Sequence, residues 1–121
     1  MAEHEGLSDR ERAKNLAEVR ELRLYLKTVG DPIRLQILRQ LSLNREMSVT
    51  ELAQVLRISQ PLLSWHLGVL RRIALVSIRR EGRLAWYSLN MEVLRSFGKR
   101  FAAWIGDLQE DEMDVEGREH V

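Results

Sequence analysis

The chain reads as a mainly α-helical domain with a two-stranded hairpin set before its last helix. Three observations carry that reading. Apolar residues recur at three- and four-residue steps along most of the chain. Residues that cap helices, Asp31, Ser48 and Ser59, stand in front of three of these periodic stretches. Between Leu75 and Leu89 the period changes to that of a strand, broken at Glu81-Gly82. A length of 121 residues suits one domain with a modest core.

The first helix is expected from about Asp9 to Thr28, with Ala13, Leu16, Val19, Leu22, Leu26 and Val29 along one stripe. Gly30-Asp31-Pro32 interrupts it. Asp31 is a good N-cap, and Pro32 falls at the first helical position, where its missing N–H costs nothing. The second helix then runs to about Leu43 and buries Ile33, Ile37, Leu38 and Leu41. Ser48-Val49-Thr50-Glu51 has the spacing of a capping box. It opens a short third helix to about Leu56 that buries Leu52, Ala53 and Leu56. Ser59 caps a fourth helix, to about Arg72, with Pro61 in its first turn. Two β-prone runs follow, Leu75 to Arg80 and Arg83 to Leu89, with Gly82 supplying the positive φ of a tight hairpin. A last amphipathic helix begins after Asn90. A hairpin of two strands is not stable alone, so it must pack on the helices.

Charge separates along the chain. Residues 57–100 carry nine basic and two acidic side chains, and residues 101–121 carry one basic and seven acidic, although the whole chain is only +1. A basic block of this kind suits a polyanion partner. The chain has no cysteine, which excludes disulfides, thiolate metal ligands and thiol chemistry. The start is polar and lacks the apolar core of a secretory signal, and no apolar run has the length of a membrane span. A cytoplasmic protein is expected. Residues 1–8 are expected to be a flexible N-terminus, 9–109 one domain, and 110–121 an acidic disordered tail.

Two capped helices joined by a short turn, followed by a basic hairpin, make a winged helix-turn-helix. In that arrangement the second helix enters the major groove of double-stranded DNA. The helical wheel of the fourth helix puts Leu63, Leu67 and Leu70 toward the core, with Gln60, Pro61, Ser64, Trp65 and Gly68 on the other side and Arg71 beside them. Gln60 can pair with adenine, Ser64 can donate or accept, and Trp65 offers an apolar surface to a thymine methyl or a sugar. Ser59 and the free N–H groups at the helix start suit a phosphate. His66, at the edge of the buried face, is placed among the DNA-binding residues, the alternative being a half-buried core histidine. Arg79, Arg80 and Arg83 surround the hairpin tip and suit phosphates or a narrow minor groove. Trp86 and Tyr87 point to opposite faces, so only one of them can lie against the helices.

Three stretches together resemble the ArsR/SmtB family of bacterial repressors. They are L-K-T-V-G-D-P-I-R-L-Q-I-L-R-Q-L from Leu26, S-V-T-E-L-A-Q-V-L-R-I-S-Q-P-L-L-S-W-H-L-G-V-L from Ser48, and L-V-S-I-R-R-E-G-R-L-A-W-Y-S-L from Leu75. The match runs over roughly residues 23–89. The resemblance implies a homodimer built from the first and last helices, repression of transcription, and release from DNA when an effector binds. It also implies that Gln60, Pro61, Ser64, Trp65 and wing arginines such as Arg79 and Arg83 touch DNA. An apolar stripe independently suits the dimer: Leu16 and Val19 on the first helix, and Met91, Leu94, Phe97, Phe101, Trp104, Ile105 and Leu108 on the last.

The chain departs from the family at the signal. Many members sense metals through cysteines at the place held here by Met47 to Glu51, and others through histidines and carboxylates on the last helix. Here Met91 to Leu108 has no histidine and only Glu92 and Asp107 as acids, while His4 and His120 lie near the two termini. No metal site and no cofactor are expected. The effector is left open between none and a small apolar molecule held between the first and last helices. An enzyme is not expected. Ser64 and His66 are two residues apart on one helix and do not face each other, and no phosphate loop, HExxH or paired-carboxylate motif is present. The other readings kept open are an architectural winged helix without operator specificity and a protein-interaction module.

Overall fold

The computed structural model describes residues 6–106. The expectations for Leu108, for His4 and His120, and for the tail at 110–121 lie outside them. The element order is α1 (Asp9–Val29), α2 (Pro32–Leu43), β1 (Met47–Ser48), α3 (Val49–Leu56), α4 (Gln60–Arg72), β2 (Val76–Glu81), β3 (Leu84–Leu89) and α5 (Met91–Gly106).

The caps act where the sequence placed them. Asp31 Oδ1 accepts from the Ile33 and Arg34 N–H groups at 2.8 and 3.0 Å. Ser48 and Glu51 exchange both bonds of the capping box. Ser59 Oγ accepts from the Leu62 N–H at 3.3 Å. One cap was not expected. Ser8, assigned to the flexible start, closes a capping box with Glu11 and begins α1.

The helix ends fall where they were expected, at Leu43, Leu56 and Arg72, although both helices of the helix-turn-helix stop without a glycine. Arg57 (φ 56°) ends α3 and Ala74 (φ 62°) follows α4, both in the left-handed region. In each case the next residue donates back five positions, Ile58 to the Ala53 carbonyl and Leu75 to the Leu70 carbonyl. That is the Schellman pattern, carried here by residues with a Cβ.

The sheet has three strands, not two. Met47 and Ser48 pair antiparallel with Tyr87 and Trp86, giving the order β1-β3-β2. A two-residue strand has no periodic signature, and Ser48 serves at once as strand end and helix cap. β2 and β3 pair from Val76↔Leu89 to Glu81↔Leu84, so the turn is Gly82-Arg83, and Arg83 belongs to the turn rather than to the strand. Gly82 has φ +61° and Arg83 does not share it, the φ pattern of a type II′ hairpin. Of the aromatic pair on β3, Tyr87 is buried and Trp86 only half-buried.

The core gathers around one face of α4. Ile37 of α2, Leu52 of α3, Leu63, Leu67 and Leu70 of α4, and Leu75 beyond it are completely buried. Polar ties hold the periphery. Asn90 donates to the Ala74 carbonyl at 2.6 Å and accepts from Ser77 Oγ at 2.7 Å, joining the base of the wing to the start of α5. Tyr25 of α1 donates to the Ile73 carbonyl at 3.2 Å. No helix among the described residues is long and apolar enough to cross a membrane.

Leu67→Ala should cost about 2–5 kcal/mol of stability in denaturant unfolding, since it empties a site with no exposure to refill it. Leu62→Ala, on the exposed side of the same helix, should cost about 0.5 kcal/mol. Equal losses would contradict this division of the helix.

Candidate nucleic-acid interface

The buried leucines turn the other side of α4 outward. Gln60, Pro61, Ser64, Trp65 and Arg71 are exposed, Trp65 by 59% despite its large apolar surface. Ser59, at the cap, is exposed as well. A Cβ built at Gly68 would meet nothing within 4 Å, so this part of the helix is open to a close neighbour. Gln60 Nε2 reaches Thr50 Oγ1 at 3.4 Å. Thr50, on the first turn of α3, is exposed and sits beside the exposed face of α4. In the sequence Thr50 stands out only as part of a capping box.

His66 corrects one expectation. Its side chain is buried, and it does not join the exposed face. Nδ1 lies 3.1 Å from Arg34 Nη1 and 3.9 Å from Asp31 Oδ1. Three-residue spacing from Leu63 and four-residue spacing to Leu70 carry it inward with the leucines. Burial pushes the imidazole below its ordinary pKa of 6.5; the neighbouring Asp31 carboxylate opposes this and Arg34 adds to it. Asp31 is held below the usual carboxylate range, first by the hydrogen bond from the Arg34 N–H. Arg34 went unnoticed in the sequence, yet it also donates from Nε to the Thr28 carbonyl at 2.6 Å and stands 5.9 Å from the centroid of Trp65.

The wing arginines divide. Arg79 was expected to be available for DNA at the tip. It lies back along β2, opposite Trp86, and its guanidinium binds Glu46 through two bonds of 3.0 Å and Glu81 at 2.8 Å. These carboxylates raise its pKa, first through the bonds to Glu46, and Arg79 in turn lowers that of Glu46. Arg79 is therefore a strut between the wing and the loop before β1. Its partner is 33 residues away in sequence, and no local pattern marks the pair. Among the described residues neither Arg80 nor Arg83 pairs with a carboxylate, and both are exposed.

The apolar stripe also divides. Leu16, Val19, Met91, Trp104 and Ile105 are exposed, and Phe101 is half-buried. Phe97 and Leu94 turn into the chain's own core, contrary to their assignment to a dimer surface. Phe97 is buried, stacked on Tyr25 of α1 at 5.0 Å and on Phe101 at 6.1 Å, and Leu94 packs against the core. These residues dock α5 onto α1, assisted by an Arg100–Glu21 ion pair of 2.6 Å. No cluster of three metal-ligating side chains occurs among the described residues.

Residues 31–77, from the cap of α2 into the wing, match the family model described as bacterial regulatory protein, arsR family. The transcriptional repressor SdpR of Bacillus subtilis is 36% identical over 69 residues, covering 57% of this chain and 76% of the relative. This chain belongs to the ArsR family. The transcriptional activator HlyU of Vibrio cholerae is 45% identical over 67 residues, 55% of this chain and 61% of the relative. The solved structure of reduced HlyU matches with a TM-score of 0.58 and 37% identity, covering 80% of this chain and 97% of that one. The ArsR-family chain is thus a winged-helix, DNA-binding transcription regulator and not an enzyme.

Because the folded state keeps His66 neutral, the unfolded chain binds a proton that the folded chain resists. Stability from this source is complete above pH 6.5 and falls as pH drops below it toward the depressed folded-state pKa. Denaturant unfolding between about pH 8 and about pH 5.5 should show this loss, and His66→Gln should remove that part of the slope. A slope unchanged in His66→Gln would mean that other groups carry it.

Proposed function

We propose that the ArsR-family chain is a cytoplasmic repressor that binds an inverted repeat as a homodimer, with α4 in the major groove and the wing on the flanking backbone. The observation that carries this reading is the exposed start of α4, where Gln60, Pro61, Ser64 and Trp65 stand clear of the core. Gln60 and Ser64 have the donors and acceptors to read base edges, and Trp65 the apolar surface for a methyl group. The wing cations that pair with no carboxylate among the described residues, Arg80 and Arg83, suit phosphates, with Arg71 at the far end of α4. Arg79 gives the wing its angle rather than a charge.

The dimer reading rests on α1 and α5. Val19, Leu26, Trp104 and Ile105 line an apolar groove between the two helices and leave large side chains in water, Ile105 by 64%. A second copy of the chain covers this face and sets two α4 helices about one DNA turn apart. The groove that would suit a small apolar effector is then part of the dimer contact. Repression is the sense given to SdpR by its name, and a dimer seated on promoter DNA excludes polymerase directly.

Selection from a random duplex pool should enrich an inverted repeat with half-sites about one helical turn apart. Gln60→Ala should relax one base position at a cost of about 1–3 kcal/mol. Arg83→Ala should weaken all sequences alike and flatten the salt slope by about one unit. General, salt-sensitive binding without enrichment would favour an architectural role.

Ile105→Glu places a charge on the most exposed apolar residue of the groove. It should convert the dimer to a folded monomer in sedimentation velocity and abolish tight binding to the repeat. A variant that stays dimeric would move the interface elsewhere.

A further inference from the structure

Arg34 lies in the first turn of α2, outside the surface assigned to DNA, yet its guanidinium joins three elements. Nε donates to the Thr28 carbonyl in the last turn of α1, and Nη1 lies 3.1 Å from Nδ1 of buried His66 on α4. The guanidinium carbon stands 5.9 Å from the Trp65 ring, which also meets His66 edge-on at 4.9 Å. A guanidinium is donor-only, so Nδ1 must accept, and the imidazole is neutral with its proton on Nε2.

We propose that Arg34 is a positioning residue for the DNA-reading helix: anchored by the end of α1 and by neutral His66, it sets the pose of Trp65, and protonation of His66 releases that pose and weakens DNA binding. The inference rests on the proposed use of the α4 face. Protonated His66 would turn an N–H toward the N–H groups of Arg34, two donors and two cations about 3 Å apart. The charged groups acting on the ring are Asp31, at the cap of α2, and Arg34. Asp31 Oδ1, 3.9 Å from Nδ1, is the acceptor to which the new N–H turns. That oxygen already accepts from the Ile33 and Arg34 N–H groups, so the new bond competes with the α2 cap. The α1 helix enters the network through the Thr28 carbonyl that Arg34 binds. The cation on the indole and the edge contact from His66 change together, which leaves Trp65, already exposed, without a fixed partner beneath it.

The test uses the full chain carrying fluorotryptophan, with the Trp65 ¹⁹F resonance assigned by Trp65→Phe, and the fluorescein-labelled duplex enriched in the selection above. As pH falls through the range where His66 protonates, the Trp65 resonance should shift and affinity should drop roughly fivefold. His66→Gln, which accepts but does not titrate, should hold the high-pH resonance and affinity throughout. Arg34→Lys keeps the charge but cannot span the Thr28 carbonyl and the imidazole together. It should shift the Trp65 resonance and lower affinity at every pH. A Trp65 resonance indifferent to pH and to Arg34→Lys overturns the positioning role, whatever happens to DNA binding. A resonance that responds as described, together with unchanged affinity in Trp65→Ala, overturns instead the use of the α4 face.

Discussion

Leu63, Leu67 and Leu70 lose all contact with water on one side of α4, and the remaining architecture is arranged around that burial. Ile37, Leu52 and Leu75 meet the stripe from α2, α3 and the start of the wing. Close packing allows a helix seated in this way little rotation, because turning it would expose three leucines and bury polar groups in their place. The outward direction of Gln60, Ser64 and Trp65 is a consequence. The direction of the exposed face of α4 is set by the core on its reverse side.

Charge is distributed on this scaffold by pairing as much as by number. The basic block of the sequence supplies nine cations between residues 57 and 100, but the fold does not leave them equivalent. Arg79 is neutralised by Glu46 and Glu81 and ties the wing to the loop before β1. Arg100 is held by Glu21 across the α1–α5 contact. Arg80 and Arg83 retain their charge toward solvent. Ion pairs as exposed as these contribute little to stability, and their effect is to fix which cations a polyanion can meet.

The apolar stripe on α5 shows the same division of labour. One part of it completes the fold of the chain itself, Phe97 by stacking on Tyr25 and Leu94 by packing against the core. The other part, Trp104 and Ile105, stays in water beside Val19 and Leu26 of α1. A periodic pattern reports only that a face is apolar. Whether that face meets its own chain or another depends on how far the neighbouring helix extends along it.

The sequence by itself determined the helices, their starts and the exposed face of α4, because caps and 3.6-residue periodicity are local. Asp31, Ser48 and Ser59 act on N–H groups two or three residues away, and the leucine spacing of α4 dictates which side is buried. The helix ends at Leu56 and Arg72 were legible too, but not how they are made, since Arg57 and Ala74 take a left-handed conformation that glycine would ordinarily announce. Tertiary structure alone decided the third strand, the Arg79–Glu46 strut, the inward turn of Phe97 and the Arg34–His66–Trp65 assembly. Each depends on groups brought together from distant parts of the chain; the leucine spacing turns His66 inward, but only the fold brings Arg34 and Asp31 to it. Local periodicity specifies a face, but the partner on that face is set by the path of the chain through space.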